Sequence, residues 1–218
     1  MQLKDKVIIV TGSTTGIGEA IARHCVIEGA KVVIHGLEPE LGARVEADLG
    51  EKAVLHLDDL LDPAAPQRLV EAALNSFGRL DGVVNNAADL TRSELDTVDA
   101  ALFDRMMAIN ARAPMLLIQA ALPHLKQSQG AIVNIGSVNA YTGEPRLLTY
   151  SMSKAALMTM SRNLANVLAY DRVRVTHFNV GWVLTPNEYK LKISEGLAAG
   201  WPDSLALEHA PSGRMGRA

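Results

Sequence analysis

Tyr150 and Lys154 stand four residues apart, just beyond a short polar loop that begins at Ser137. Residues at that spacing share one face of a helix, so the phenol and the ammonium can address a single site. A tyrosine hydroxyl, with an ordinary pKa of about 10, is a poor base at neutral pH, and a fixed positive charge nearby favours its phenolate. Such a pair suits moving a proton on or off an alcohol or carbonyl oxygen. Alone it carries little weight: a Y-x-x-x-K arises by chance about 0.15 times in a chain of this length and composition.

The elements that must position the pair follow a clear rhythm. Val7–Val10, Lys31–His35, Ala53–Leu57, Gly82–Val84, Ala131–Ile135 and Val173–Phe178 read as strands. Ile17–Glu28, Pro39–Leu49, Pro63–Phe77, Ala100–Leu125 and Tyr150–Ala169 read as the helices between and after them, with Gly29 and Gly78 as stops and Pro63 as an opener. Strands that are continuously apolar, alternating with helices, predict a parallel sheet covered on both faces. Right-handed connections make this a doubly wound α/β/α arrangement of Rossmann type. The 218 residues fit one domain, with no linker or repeat. Past Gly181 the rhythm is lost: 186–207 reads as one or two short helices and 210–218 as loop.

Composition narrows the function. A net charge of -3 offers no basic field for nucleic acid. The single cysteine, Cys25, excludes an internal disulfide framework and reads as a helix-core residue. The first apolar run, Val7 to Val10, is too short for a signal segment or a membrane span, so a cytoplasmic, reducing setting is the default expectation. The six histidines are scattered without ligand spacing, so no metal site is expected. Ser151-Met152-Ser153-Lys154 has the S-x-x-K form but lacks the later S-D-N and K-T-G partners, and Gly136-Ser137 lacks the glycine of a nucleophile elbow.

Polar residues and glycines recur where the expected strands finish: Thr11-Gly12, Asp58-Asp59, Asn85-Asn86, Gly136-Ser137 and Asn179. In open α/β sheets ligands bind along that carboxyl rim. Thr11-Gly12-Ser13-Thr14-Thr15-Gly16-Ile17-Gly18 joins the first strand to the first helix. Its glycines permit a tight turn and close backbone approach, and the helix amides suit a pyrophosphate. The spacing G-x-x-x-G-x-G departs from the generic G-x-G-x-x-G fingerprint, and a plain strand–helix turn would use glycines too.

Thr11 to Gly18, Asn85-Asn86-Ala87, Asn110, Ser137 and Tyr150-x-x-x-Lys154, in that order, resemble the short-chain dehydrogenase/reductases over about Lys4 to Thr185. The resemblance implies a nicotinamide-dependent oxidoreductase interconverting a secondary alcohol and a ketone. Tyr150 would be the general acid/base and Ser137 would orient the substrate. Lys154 would hold the nicotinamide ribose and depress the Tyr150 pKa, and Asn110 would hold a water for proton relay. Gly12, Thr14, Thr15, Gly16, Ile17 and Gly18 would line the dinucleotide, with Asp59 and Leu60 at the adenine, Asn86 and Ala87 beside the ribose, and Val183 and Thr185 at the carboxamide. Asn85 reads as a strand-bonding residue. Ala88 stands where the family usually has glycine and Val180 where it has proline.

The same resemblance implies NAD or NADP. Glu38, after the second strand and with no arginine close in sequence, favours NAD, although it could equally serve as a first-turn helix residue. Trp182, Tyr141, Glu144, Tyr189 and Trp201 flank the expected nicotinamide end, with ordinary packing as the alternative for each. A homo-oligomer, tetramer or dimer, would form through the helices at 100–125 and 150–169. Family members usually continue with a further helix and last strand, here expected to be absent or to leave an open sheet edge. Two other readings remain on sequence: a non-catalytic nucleotide-sensing protein of the same fold, and an epimerase or dehydratase that retains its nicotinamide.

Overall fold

The computed structural model describes residues 1–209 and 214–217. Six strands, β1 (Val7–Val10), β2 (Lys31–Gly36), β3 (Ala53–Leu57), β4 (Gly82–Asn85), β5 (Ala131–Ser137) and β6 (Arg174–Val180), form one sheet in the order β3-β2-β1-β4-β5-β6. Every pairing is parallel. The order reverses between β1 and β4, and a crevice opens at such a switch point beyond the strand ends. The central strands are buried on both sides, as β1 illustrates with all four residues enclosed, whereas the edge strand β3 is only partly covered.

Helices α1 (Gly16–Ile27) and α2 (Pro39–Leu49) cover one face, where Ile8, Val10, Ala22, Cys25 and Val45 share a core. On the other face, α3 (Ala65–Phe77) and the helix behind Asn110 pack Leu69, Leu117 and Leu125 onto Ile9 and Ile132. Cys25 is buried among α1 neighbours, as its sequence context suggested. At the β6 edge the covering is incomplete and Phe178 is 55% exposed.

The helix expected over Ala100–Leu125 is three segments: α4 (Ala100–Met107), a π turn at Ala108–Arg112, and α5 (Ala113–Ser128). One widened turn holds one extra residue, which local pattern does not reveal because apolar spacing continues on both sides. Asn110 sits inside that turn and is fully buried. After β5 come α6 (Asn139–Thr142) and α7 (Leu148–Val167), which carries Tyr150 and Lys154. The chain continues as β7 (Val183–Leu184), α8 (Pro186–Ser194) and α9 (Trp201–His209). The loop expected over 210–218 is corrected in part: Gly216–Arg217 forms β8, parallel to β7, while 210–213 and 218 lie outside the described residues. Among the described residues no helix is long and apolar enough to cross a membrane.

Candidate active site

At the glycine loop Gly12 and Gly16 take φ values of 61° and 60°, the left-handed region that glycine adopts without strain. A Cβ on Gly12 would stand 2.9 Å from the Ala87 Cα, and one on Gly18 would collide with the Gly12 carbonyl oxygen. Asn86 Nδ2 donates to the carbonyls of Thr11 and Gly12 at 2.9 and 3.0 Å, and Thr11 Oγ1 accepts from the amides of Asn86 and Ala87. The loop is thus held to the end of β4. A cradle built on glycine backbone at a helix N-terminus, flanked by Thr14 and Thr15, fits a pyrophosphate.

His35 completes this support. The Gly12 amide donates to His35 Nδ1 at 3.2 Å, so that nitrogen is bare and Nε2 carries the proton toward the Asp58 carbonyl at 3.0 Å. Burial pushes the imidazole pKa down to about 4, which keeps this tautomer neutral across the physiological range. Sequence reasoning passed over His35 because a lone histidine at a strand end carries no spacing signal. Asp58 in turn takes two hydrogen bonds from Arg68, both 2.7 Å, which hold its carboxyl down at about 2 and fix the turn that presents Asp59 and Leu60.

Glu38 is the residue preceding α2. It makes no capping hydrogen bond there; instead its Oε2 accepts from Thr14 Oγ1 at 2.7 Å and from the Leu37 amide at 3.2 Å. A Cβ on Gly36 would collide with Thr14 Oγ1, so the bare Gly36 lets the carboxylate lie against the glycine loop. Glu38 thus stands at the start of α2 and lines the crevice as well.

At the other end of the crevice Ser137 finishes β5 and Tyr150 sits in the first turn of α7, 7% exposed and hydrogen-bonded to Ser137. Lys154 is buried one turn later. Its Nζ donates to the Ile135 carbonyl at 2.7 Å and lies 5.7 Å from the Tyr150 ring centroid. Burial lowers the Lys154 pKa to about 8. Here one expectation is corrected. The Tyr150 phenol is raised rather than depressed, because burial outweighs the Ser137 hydrogen bond. Of the two groups it is the lysine whose pKa is lowered.

Asn110 does not line the crevice; its neighbour Ile109 does. Its Oδ1 accepts from the Asp89 amide at 2.8 Å, while Nδ2 donates to the Asp89 carbonyl and to Ser153 Oγ at 2.9 and 3.0 Å. Ser153 Oγ donates to the Tyr150 carbonyl, so the side chain clamps the loop after β4 to the turn that carries Tyr150. All its hydrogen-bonding atoms are engaged, leaving the side chain no donor for a relay water. Asn110→Leu, which keeps the volume, leaves buried groups unpaired and is expected to cost about 2–4 kcal/mol in chemical denaturation. A change under about 0.5 kcal/mol would contradict the clamp, since even one net hydrogen bond is worth that much.

One cavity of about 540 Å³ joins the two ends. Gly12, Thr14, Thr15, Gly16, Ile17, Glu38, Asp59, Leu60, Asn86, Ala87, Ser137, Tyr150, Lys154, Val183 and Thr185 all line it. Gly18 does not: it packs α1 against the sheet. Asn85 donates to Asn134 Oδ1 across β4 and β5 at 2.7 Å, the strand-bonding role expected of it. Of the five residues expected near the nicotinamide end only Trp182 lines the cavity. Trp201 is buried between Trp182 and Tyr189, with ring centroids at 5.8 and 6.1 Å. Asp89, Leu90, Asn187, Glu188 and Leu191 were not anticipated in the wall. They come from irregular chain and from α8, where no periodic pattern marks which side chains turn inward.

A doubly wound parallel sheet with a glycine cradle at its switch point defines a dinucleotide-binding α/β protein. A family model described as short chain dehydrogenase matches residues 6–195. The chain belongs to the short-chain dehydrogenase/reductase family of oxidoreductases. It is 33% identical to an uncharacterized oxidoreductase of Methylorubrum extorquens, over 99% of this chain and 87% of that protein. It is 36% identical to the L-fucose dehydrogenase of Mus musculus, over 97% of this chain and 77% of that one. The crystal structure of L-sorbose reductase from Gluconobacter frateurii, complexed with NADPH and L-sorbose, superposes with a TM-score of 0.93 at 28% identity, covering 100% of this chain and 87% of that chain.

Proposed function

We propose that this protein interconverts a secondary alcohol and a ketone, with Tyr150 as the acid/base. The observation that carries the reading is that Ser137, Tyr150 and Lys154 meet at one end of the cavity whose other end is the glycine cradle. A nicotinamide dinucleotide held by that cradle supplies the acceptor or donor of hydride. In the oxidative direction the Tyr150 phenolate takes the hydroxyl proton as the carbinol carbon loses hydride. In the reductive direction the phenol returns a proton to the oxygen. Ser137 gives that oxygen a positioned hydrogen bond where charge develops. Lys154 accounts for the charge balance: an ammonium with a pKa of about 8 can release its proton near neutral pH.

NAD is the preferred dinucleotide in this reading. Glu38 presents a carboxylate in the cavity wall beside the glycine loop, and Lys154 is the only cation lining the cavity among the described residues. A phosphate dianion next to that carboxylate would meet repulsion with no compensating arginine. NADH is expected to bind at least about 30-fold more tightly than NADPH by fluorescence titration, and Glu38→Gln to narrow the gap, since charge juxtapositions of this kind are worth about 2 kcal/mol. Equal affinities would sink the preference. Assembly through α5 and α7 is supported by Met115 and Met152, each 48% exposed despite being apolar.

The test of the activity is NADH formation from NAD with a panel of secondary alcohols, and NADH loss with the matching ketones. Turnover in neither direction, with NADH binding intact, would favour a sensing role and overturn the proposal.

A further inference from the structure

The first turn of α7, which carries Tyr150, is capped from another part of the chain. No side chain at Leu147 caps that helix, so its first amides need partners elsewhere. Ser93, on the chain after β4, supplies two of them. Its carbonyl accepts from the Leu148 amide at 3.1 Å and its Oγ from the Thr149 amide at 3.1 Å. The Ser93 amide donates to the Arg146 carbonyl at 3.0 Å, so that Ser93 and Leu147 form a short parallel bridge. The cap is enclosed: Ser93 and Thr149 are buried, and Leu147 packs with Tyr150 and Met106.

The residues just before each side of that bridge, Arg92 and Arg146, converge on one carboxylate. Glu195 closes the C-terminal end of α8. Its Oε1 is 3.4 Å from Arg92 Nε and 3.9 Å from Arg146 Nη2, and its Oε2 is 2.7 Å from Lys192 Nζ. The Lys192 hydrogen bond, ahead of the charge on Arg92, holds the Glu195 carboxyl below its ordinary range, so it is ionised at neutral pH. Leu191 and Asn187, one and two turns earlier on α8, line the cavity, as do Asp89 and Leu90 on the chain leading into Arg92. The ions therefore join two parts of the cavity wall, and they do so beside the cap of the helix that carries Tyr150. Neither Ser93 nor Glu195 lines the cavity, so each acts through its neighbours.

We infer that Ser93 is a positioning residue for Tyr150, and that Glu195, through Arg92 and Ser93, makes the placement of the phenol depend on α8 being seated in the cavity wall. This rests on the acid/base reading of Tyr150 above. Displacing α8 from the wall takes the carboxylate away from Arg92 and Arg146 and loosens the Ser93 cap. The phenol is then fixed only when the wall formed by α8 is complete.

The test compares the wild type with Ser93→Ala, Glu195→Gln and the double variant, all as full chains. Two readouts are followed: NAD-dependent oxidation of an alcohol from the panel above, and hydrogen exchange of the Leu148 and Thr149 amides. Ser93→Ala is expected to lower kcat about tenfold with NADH affinity unchanged, because small misplacements of a reacting group carry losses of that order. Glu195→Gln is expected to lower kcat about threefold, within the roughly fivefold that a partly exposed ion-pair network contributes. The wild type should lose that advantage over Glu195→Gln in about 0.5 M KCl, which screens the pair. The double variant should match Ser93→Ala, since Glu195 acts through that residue. Both single substitutions should speed exchange of the two amides, a readout that needs no turnover. Losses that multiply in the double variant, unchanged exchange in Glu195→Gln, or a Ser93→Ala kcat within about twofold of the wild type would overturn the inference. Each would leave the acid/base reading intact, which Tyr150→Phe decides separately. A wild type that turns over no alcohol or ketone would overturn that reading instead, and exchange alone would then decide the coupling.

Discussion

Tyr150→Phe is expected to lower turnover by about three orders of magnitude while leaving NADH affinity within about twofold, since positioned proton transfer is worth roughly 10²–10⁴ in rate. The substitution removes one oxygen and nothing else. The ring stays packed beside Met106 and Leu147 in a small core of its own. The Ser137 partner loses its hydrogen bond in the cavity wall, where a water in the cavity can replace it. Stability should therefore hardly change, and a thermal melt matching the wild type would show that lost activity is lost chemistry. The glycine cradle lies at the other end of the cavity and does not depend on the phenol. Turnover within about tenfold of the wild type would remove Tyr150 from the acid/base role, because proton transfer contributes more than that.

Lys154→Met should separate activity from stability in the opposite sense to most core substitutions. Turnover is expected to fall about 10²–10³-fold, as loss of a charge near the reacting oxygen implies. Stability at pH 7 should hold or rise. The folded protein lowers the Lys154 pKa from 10.5 to about 8, so the charged amine is disfavoured by folding. That penalty is present in full below about pH 8 and disappears as pH rises toward 10.5. Its size is on the order of 3 kcal/mol from the shift, offset by about 1 kcal/mol for the lost hydrogen bond to Ile135. The variant should thus be about 0–2 kcal/mol more stable at pH 7, and the wild type the more stable of the two in alkali, where only the lost hydrogen bond counts. In the wild type the reductive rate should decline as pH passes about 8, where the ammonium loses its proton, and Lys154→Met should lack that limb. Denaturation of both proteins at two pH values, with a pH–rate profile of each, checks the prediction. A variant destabilised by more than about 2 kcal/mol at pH 7 would show that the amine is a structural pillar rather than a tolerated charge, as removal of a properly paired buried group does.

Much of this molecule was legible from its residues. Continuous apolar strands such as Val7–Val10 can only be buried on both faces, and that alone demands helices above and below a parallel sheet. The recurrence of Gly12, Asn86, Ser137 and Asn179 at strand ends marked the rim, because strand direction in such a sheet sends every carboxyl end the same way. Elements shifted by a residue or two at their ends, as for β6 at Arg174–Val180, where edge position leaves the boundary weakly determined.

What escaped was set by contacts distant in the chain. The π turn at Ala108–Arg112 exists because Asn110 must reach Asp89, 21 residues away, and Ser153, 43 residues away, a requirement no window around Asn110 contains. The role of His35 depends on the Gly12 amide and the Asp58 carbonyl, both supplied by other strands. The raised Tyr150 pKa overturned the expected effect of Lys154 because desolvation is a property of the assembled core. The pairing of Trp182 with Glu188 is close in sequence, yet that both line the cavity is decided by where the tertiary structure sets the start of α8. Residue types and order along the chain determined the fold class, which follows from local periodicity, while the resemblance to the family's motif order singled out Ser137, Tyr150 and Lys154 together. Only the tertiary structure decided their burial, their supports and which residues beyond β6 line the cavity, because burial and long-range hydrogen bonds arise only when the chain has closed on itself.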